Sequence, residues 1–241
     1  MDDDPPSDRG CPSLADIRDS LEIEKSTSAT MGESKAIPLP PEFYLDRPEK
    51  VAQNLLGKLL IRKLKDQTLI ARIVETEAYL GNDDPAAHSF AGRTARNEVL
   101  FGPPGHAYVY FIYGMHYCLN VSCEPEGQAG GVLIRALEPV TGLAEMARLR
   151  KLPPNASPRL LTSGPGKLCQ ALAIARPEHN GIDLTDPASE LQIADDGYQP
   201  IEIVSTPRIG ISKASDLELR FLIAGNKFVS GPLRRSSPPE P

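Results

Sequence analysis

The chain has no tryptophan, only four cysteines and four histidines in 241 residues, and no apolar run approaching the ~18 residues that a membrane-spanning helix needs. Each shortage excludes something. The cysteines, Cys11, Cys118, Cys123 and Cys169, form no C-x-x-C pair, and two of them sit among apolar residues in strand-like segments, so reduced, buried thiols are expected and not disulfides. His106, His116, Cys118 and Cys123 lie close in sequence, but H-x-C-x₄-C fits no common closed zinc site and strand parity puts Cys123 on the opposite face, so no metal is expected. The opening stretch MDDDPPSDRG is acidic where a secretory signal is basic and then apolar. A soluble intracellular protein is expected, cytoplasmic and nucleoid-associated in a bacterium, nuclear in a eukaryote.

A surplus of positive charge is also missing: 26 Lys and Arg stand against 32 Asp and Glu, a formal net charge of −6. A protein that grips a phosphate backbone usually has the opposite balance. Distribution weakens that exclusion, because residues 1–36 hold nine Asp/Glu and four Lys/Arg, leaving the rest of the chain at about −1. No internal repeat is visible. Ser163-Gly164-Pro165-Gly166-Lys167 falls short of a phosphate loop, since position 161 is Leu and no Ser or Thr follows Lys167; the helix start either holds one phosphate or is simply capped.

Residues 1–36 are rich in Asp, Ser and Pro, so a disordered acidic extension is expected there, a folded domain over 37–231 and a flexible tail over 232–241. Arg47 to Gly57 reads as a short helix with Asp46 as its cap, Pro48 in its first turn, Leu55 and Leu56 inward and Gly57 at its end. Lys58–Lys63 and Thr68–Leu80 read as strands, and Gly81–Gly105 as a loop of turn-forming residues. Ala107–Cys123 consists of two β-branched and aromatic runs broken at Gly114-Met115, which predicts a hairpin. A strand over Gly131–Leu137, helices over Gly142–Lys151 and Pro165–Ala175, and strands at Pro207–Ile211 and Leu219–Val229 complete the pattern. It predicts an α+β fold: one domain around a mostly antiparallel curved β-sheet with flanking helices and a protruding β-hairpin.

The segment ARIVETEAYLG, Ala71 to Gly81, is the most informative. On a strand, period two places Glu75, Glu77 and Tyr79 on one face, successive members about 6.5–7 Å apart. A carboxylate beside an aromatic ring suits an enzyme that holds a flat ring and directs water at the carbon attached to it. The ring stacks, while the carboxylate acts as general base and stabilises positive charge on the sugar. An edge strand with solvated glutamates explains the same pattern. Tyr108, Tyr110, Tyr113 and Tyr117 crowd into ten residues of a chain with seven tyrosines, and Tyr113 falls at the turn. Counting parity, Tyr110 and Tyr113 face opposite sides, so one ring can stack on an extruded base while the other wedges into the duplex. A hairpin that packs its aromatics into a core accounts for them equally well.

In order and approximate spacing, six motifs resemble the alkyladenine (3-methyladenine) DNA glycosylases: RIVETEAY from Arg72, Ala86-Ala87-His88-Ser89, Arg96-Asn97, YVYFIYGM from Tyr108, Leu119-Asn120-Val121-Ser122 and LIRALEP from Leu133. The likeness runs on through Ser163–Leu168 and Arg208–Ile211 to Leu219-Arg220-Phe221, and Ser212-Lys213-Ala214 brings it closer to the bacterial branch. The resemblance implies a catalytic domain over 37–231 whose partner is double-stranded DNA containing damaged purines. Implied lesions are 3-methyladenine and 7-methylguanine, with hypoxanthine and ethenoadenine as further candidates. It also implies roles: Glu77 deprotonates and orients the attacking water, and Arg135 and the backbone carbonyl of Ile209 help to hold that water. Tyr79 stacks on one side of the flipped base and His88 with Tyr110 on the other; Asn120 lines the pocket floor against the exocyclic amine of guanine, and Tyr113 fills the hole in the duplex. Neither cofactor nor metal is implied, and a monomer is expected. With no Lys beside Glu77 to form a Schiff base, hydrolysis without strand cleavage is expected, and Glu75 is read as structural. Two other readings stay open: a catalytically idle protein that recognises damaged DNA through the same aromatics, and a carbohydrate hydrolase with Glu75 and Glu77 as its acid/base pair.

Overall fold

The computed structural model describes residues 36–231, so the expectations for residues 1–36 (Ala36 apart), for Cys11 and for the tail over 232–241 lie outside the described residues. In chain order the strands are β1 (Ile37–Pro38), β2 (Leu59–Lys63), β3 (Thr68–Tyr79), β4 (Ala107–Ile112), β5 (His116–Ser122), β6 (Gly131–Thr141), β7 (Leu191–Asp195), β8 (Ile203–Thr206) and β9 (Arg220–Ile223). They join one antiparallel sheet in the order β1-β7-β2-β3-β6-β5-β4, with β9 joining β3 and β8 joining β9. Helices α1 (Pro48–Leu55), α2 (Leu143–Leu149), α3 (Pro158–Thr162), α4 (Pro165–Ala171) and α5 (Arg176–His179) flank it. This is the α+β architecture that the alternation of periods predicts.

Strand β3 carries the Glu–Tyr segment and is central at its glutamates: Ile70–Arg72 lies between β2 and β6, and Glu75–Glu77 lies between β9 and β6. The edge-strand reading of Glu75 and Glu77 is therefore overturned: both side chains are fully buried. Besides a shift at Ile70/Ala71, two opposed bulges flank Glu75 in the β3–β6 ladder. Ile73 pairs with Leu137, Glu75 with Ala136 and Thr76 with Ile134, so Val74 on one strand and Arg135 on the other are the extra residues. A bulge bends its strand and re-aims a side chain, and here it aims Arg135 at the two glutamates.

Against the other face of β3 packs α1, with Val51, Ala52 and Leu55 fully buried and the Thr76 hydroxyl donating to Ala52 O at 2.9 Å. At ~25 cal/mol per Å² of apolar surface removed from water, such burial is the main force holding helix to sheet. Asp46 is not the helix cap: Arg47 occupies that position without a side-chain cap, and Asp46 accepts from the Arg47 N–H at 3.0 Å and pairs with Lys50 at 2.7 Å. Cys118, Cys123 and Cys169 are buried free thiols, as expected.

Other differences lie near the chain end. The strand expected at Pro207–Ile211 sits just before it, at β8, and 207–211 leaves the sheet; Pro207 has no N–H to donate and Gly210 turns at φ +78°. The strand expected over Leu219–Val229 stops at Ile223, ahead of Gly225 at φ +68°, and the helix expected to Ala175 stops at Ala171, ahead of Ala173 at φ +50°.

Candidate active site

Glu77 is the centre of a small buried network. Its Oε2 accepts from Arg135 Nη1 at 3.0 Å and from the Tyr79 hydroxyl at 3.0 Å, and its Oε1 accepts from the Ile209 N–H at 2.7 Å. An ionised carboxylate has about four lone-pair positions, so three donors leave one, on Oε1 beside Ile209. The resemblance gives the Ile209 carbonyl a part in holding the water; the Ile209 group that bonds to Glu77 itself is the N–H. Burial, with the charge of Glu77 adding to it, pushes the Tyr79 phenol far above its ordinary range, so this hydroxyl stays a donor.

Glu75 differs in kind. Its Oε1 accepts from Arg135 Nε at 3.1 Å, Arg220 Nε at 2.6 Å and Ser230 Oγ at 2.9 Å, and its Oε2 accepts from the Ser230 N–H at 2.5 Å. Three donors crowd Oε1 and one meets Oε2, so four protein donors hold this carboxylate between Arg135, Arg220 and Ser230 where Glu77 has three, an anchoring arrangement that gives the carbohydrate-hydrolase pairing of Glu75 with Glu77 no support. The side chains of Arg135 and Arg220 balance the two negative charges within hydrogen-bond distance, as a buried pair requires.

In front of Glu77 opens a cavity of about 430 Å³, within the ~300–1,000 Å³ of ordinary small-molecule sites. Tyr79, His88, Tyr110, Tyr113, Asn120, Arg135 and Ile209 all line it, so it gathers every site residue named from sequence except Glu77. Glu77 sits one layer behind, touching three of the lining residues. His88 meets Tyr110 edge-on, ring centroids 4.5 Å apart, and its Nδ1 lies 3.0 Å from the Tyr108 hydroxyl. Burial lowers the His88 pKa and the charge of Arg96 lowers it further, so the ring is neutral at pH 7. Asn97, buried in the loop after β3, donates to His88 O at 2.9 Å and Gly92 O at 3.0 Å and so fixes the backbone that carries His88. Asn120 donates to Tyr108 O at 3.2 Å across β4 and β5.

His88 and Ile209 are exposed at the cavity mouth, and Tyr113 projects into solvent. It is 79% exposed, at the hairpin tip, with φ +53° followed by Gly114 at +68°, and Met115 N–H donates back to Ile112 O at 3.3 Å. A non-glycine residue in the left-handed region costs of order 1 kcal/mol or more and marks a functional site often enough to be informative. The parity count that set Tyr110 and Tyr113 on opposite sides fails, because Tyr113 lies in the turn and outside the strand; both border the same cavity.

Sequence reasoning missed a buried pair beside the site. Arg208 Nη2 donates to Asp84 Oδ1 at 2.9 Å, Arg208 Nη1 donates to Asp84 Oδ2 and to Ala78 O, and the guanidinium carbon lies 4.7 Å from the centroid of the Tyr79 ring. The string Arg208-Ile209-Gly210-Ile211 belongs to the family resemblance, but the partner of Arg208 lies 124 residues away and no periodicity links the two.

Comparison with known proteins identifies the family of the chain. The model of the methylpurine-DNA glycosylase family matches residues 42–227. The chain is 58% identical over 194 residues to a protein of Koribacter versatilis, covering 80% of this chain and 93% of that one. It is 49% identical over 185 residues to one of Nitrosospira multiformis (77% and 90%) and 50% identical over 196 residues to one of Methanoculleus marisnigri (80% and 98%). All three relatives bear the name "Putative 3-methyladenine DNA glycosylase". This chain belongs to the methylpurine-DNA glycosylase family, enzymes that hydrolyse N-glycosyl bonds. No helix among the described residues is long and apolar enough to cross a membrane.

Proposed function

We propose that this protein removes alkylated purines, 3-methyladenine first and 7-methylguanine with it, from double-stranded DNA by hydrolysing the bond from base to deoxyribose. One observation supports the reading above the others: a fully buried carboxylate with one open acceptor position, directly behind an aromatic cavity of about 430 Å³. In this reading the damaged nucleotide leaves the stack and its base lies between Tyr79 and the His88–Tyr110 pair. A base methylated at N3 or N7 is cationic and already a good leaving group, so the enzyme must hold it and supply a nucleophile at C1′. Glu77 takes the proton of a water at its open Oε1 position and, with the sugar turning cationic, offsets that charge; Arg135 and the Ile209 N–H keep the carboxylate aimed. The bond from C1′ to the base nitrogen breaks with its electron pair going to the base, and the water oxygen bonds to C1′. Asn120 narrows the floor of the cavity against the exocyclic amine of an undamaged guanine, and Tyr113 occupies the gap in the duplex.

The test is base release. Duplex DNA methylated with dimethyl sulfate is incubated with the protein; free 3-methyladenine should appear, with abasic sites in an unbroken strand. Binding without release would leave the idle damage-binding reading, and strand cleavage in the absence of added alkali would overturn hydrolysis by water alone.

A further inference from the structure

Asp84 and Arg208 form the most deeply buried ion pair among the described residues, both side chains 0% exposed. They touch neither the cavity nor Glu77 directly. Their contacts nevertheless converge on both. Arg208 adjoins Ile209, whose N–H is a donor to Glu77 Oε1, and its guanidinium covers one face of the Tyr79 ring. Its Nη1 also donates to Ala78 O, between Glu77 and Tyr79 on β3. Asp84 is itself held by the Leu80 N–H at 3.3 Å and the Ala86 N–H at 3.0 Å, at the head of the loop that carries His88. Three segments meet at this pair: the end of β3, the His88 loop and the 207–211 loop, which has left the sheet and has no ladder to fix it.

We infer that Asp84 and Arg208 are positioning residues for base excision: together they seat the Ile209 N–H on the Glu77 carboxylate and brace the Tyr79 ring from behind, so that only its cavity face is open to a base. The inference rests on the proposed function. A buried ion pair is a poor source of net stability, since apolar side chains of similar volume do as well or better, and Arg208 Nε lacks a hydrogen-bond partner. What the pair supplies that apolar residues do not is a bidentate geometry that fixes one loop against another.

The experiment is single-turnover base release from dimethyl sulfate-methylated duplex, with enzyme in saturating excess, for wild type, Arg208→Met, Arg208→Lys and Asp84→Asn. Melting temperature and affinity for the same duplex are measured in parallel. Rates at saturating enzyme read only folded, bound protein, so partial unfolding does not imitate a positioning defect. Arg208→Met should slow release about 10²-fold, the effect that a misplacement of ~1 Å has on a reacting group, with duplex affinity little changed. Asp84→Asn should slow it less, and Arg208→Lys should recover part of the loss. A folded Arg208→Met or Asp84→Asn variant that releases base at the wild-type rate overturns the inference, whatever its melting temperature. Wild type that releases no base overturns the proposed function itself, which separates the two failures.

Discussion

The end of β3 and the tip of the β4–β5 hairpin border one cavity and are built in opposite ways. At β3, Glu75, Glu77 and Arg135 are buried, their hydrogen bonds are close to saturated, and bulges in two paired strands set their aim. At the tip, Tyr113 stands 79% exposed and Met115 70% exposed on a turn of two left-handed residues with little around them. A group that must receive a proton at a fixed point needs a rigid, dry surrounding. A group that must enter another molecule has to be free of its own. On the proposed function, the contrast makes hydrolysis and recognition separable, and substitutions on the two sides should fail in different ways.

The largest effect should come from the buried side. Glu77→Gln should slow base release by about 10²–10⁴-fold, the usual worth of a general base. It should also lower stability, because an amide has one oxygen where the native group meets donors on both; a buried donor left facing another costs about 1–3 kcal/mol. Release rate and thermal melting check both halves, and a variant with wild-type rate breaks the assignment of Glu77. Next, Glu75→Gln should act on the fold and not on the chemistry: removing one member of a buried pair costs roughly 3–5 kcal/mol, or about 6–20 °C in melting temperature for a domain of this size. Its rate at low temperature, per folded molecule, should fall far less than that of Glu77→Gln.

On the exposed side, Tyr113→Ala should give up roughly 1–3 kcal/mol of stacking with no change in melting temperature. It should slow excision of normally paired lesions more than mispaired ones, whose bases cost less to unstack. Equal loss on every substrate together with a lower melting temperature would place Tyr113 in the core after all. The smallest effect concerns pH. His88 and His179 are held below the ordinary value of 6.5, chiefly by burial. Their neutral forms therefore favour the folded state fully above that value, and stability falls as pH drops from 6.5 through the folded-state pKa, because the unfolded chain takes up the protons first. Melting from about pH 7.5 to about pH 5.5 should show this decline, smaller in His88→Asn; an unchanged slope in that variant would remove His88 as a cause.

The sequence was legible where local composition decides structure. TLIARIVETEAY and AYVYFI could hardly be anything but strands, and the break at Gly114 marked the hairpin that closes on the cavity. Most residues that line the cavity were legible too, through the resemblance of RIVETEAY, AAHS, YVYFIYGM and LIRALEP. What stayed hidden depends on long-range pairing. Nothing in local pattern places Val74 and Arg135 as opposed bulges, makes β3 central through β9, or joins Asp84 to Arg208. Parity counting failed for Tyr113 for a related reason, since a period of two holds only while the residue stays in the strand.

The separation of the two sides is tested most directly by placing Glu77→Gln and Tyr113→Ala in one experiment: single-turnover release and duplex affinity on a paired and a mispaired lesion. The account predicts that Glu77→Gln loses rate equally on both substrates and keeps its affinity. Tyr113→Ala should lose affinity and rate mainly on the paired lesion and recover most of its rate on the mispaired one. Identical profiles for the two variants would contradict it.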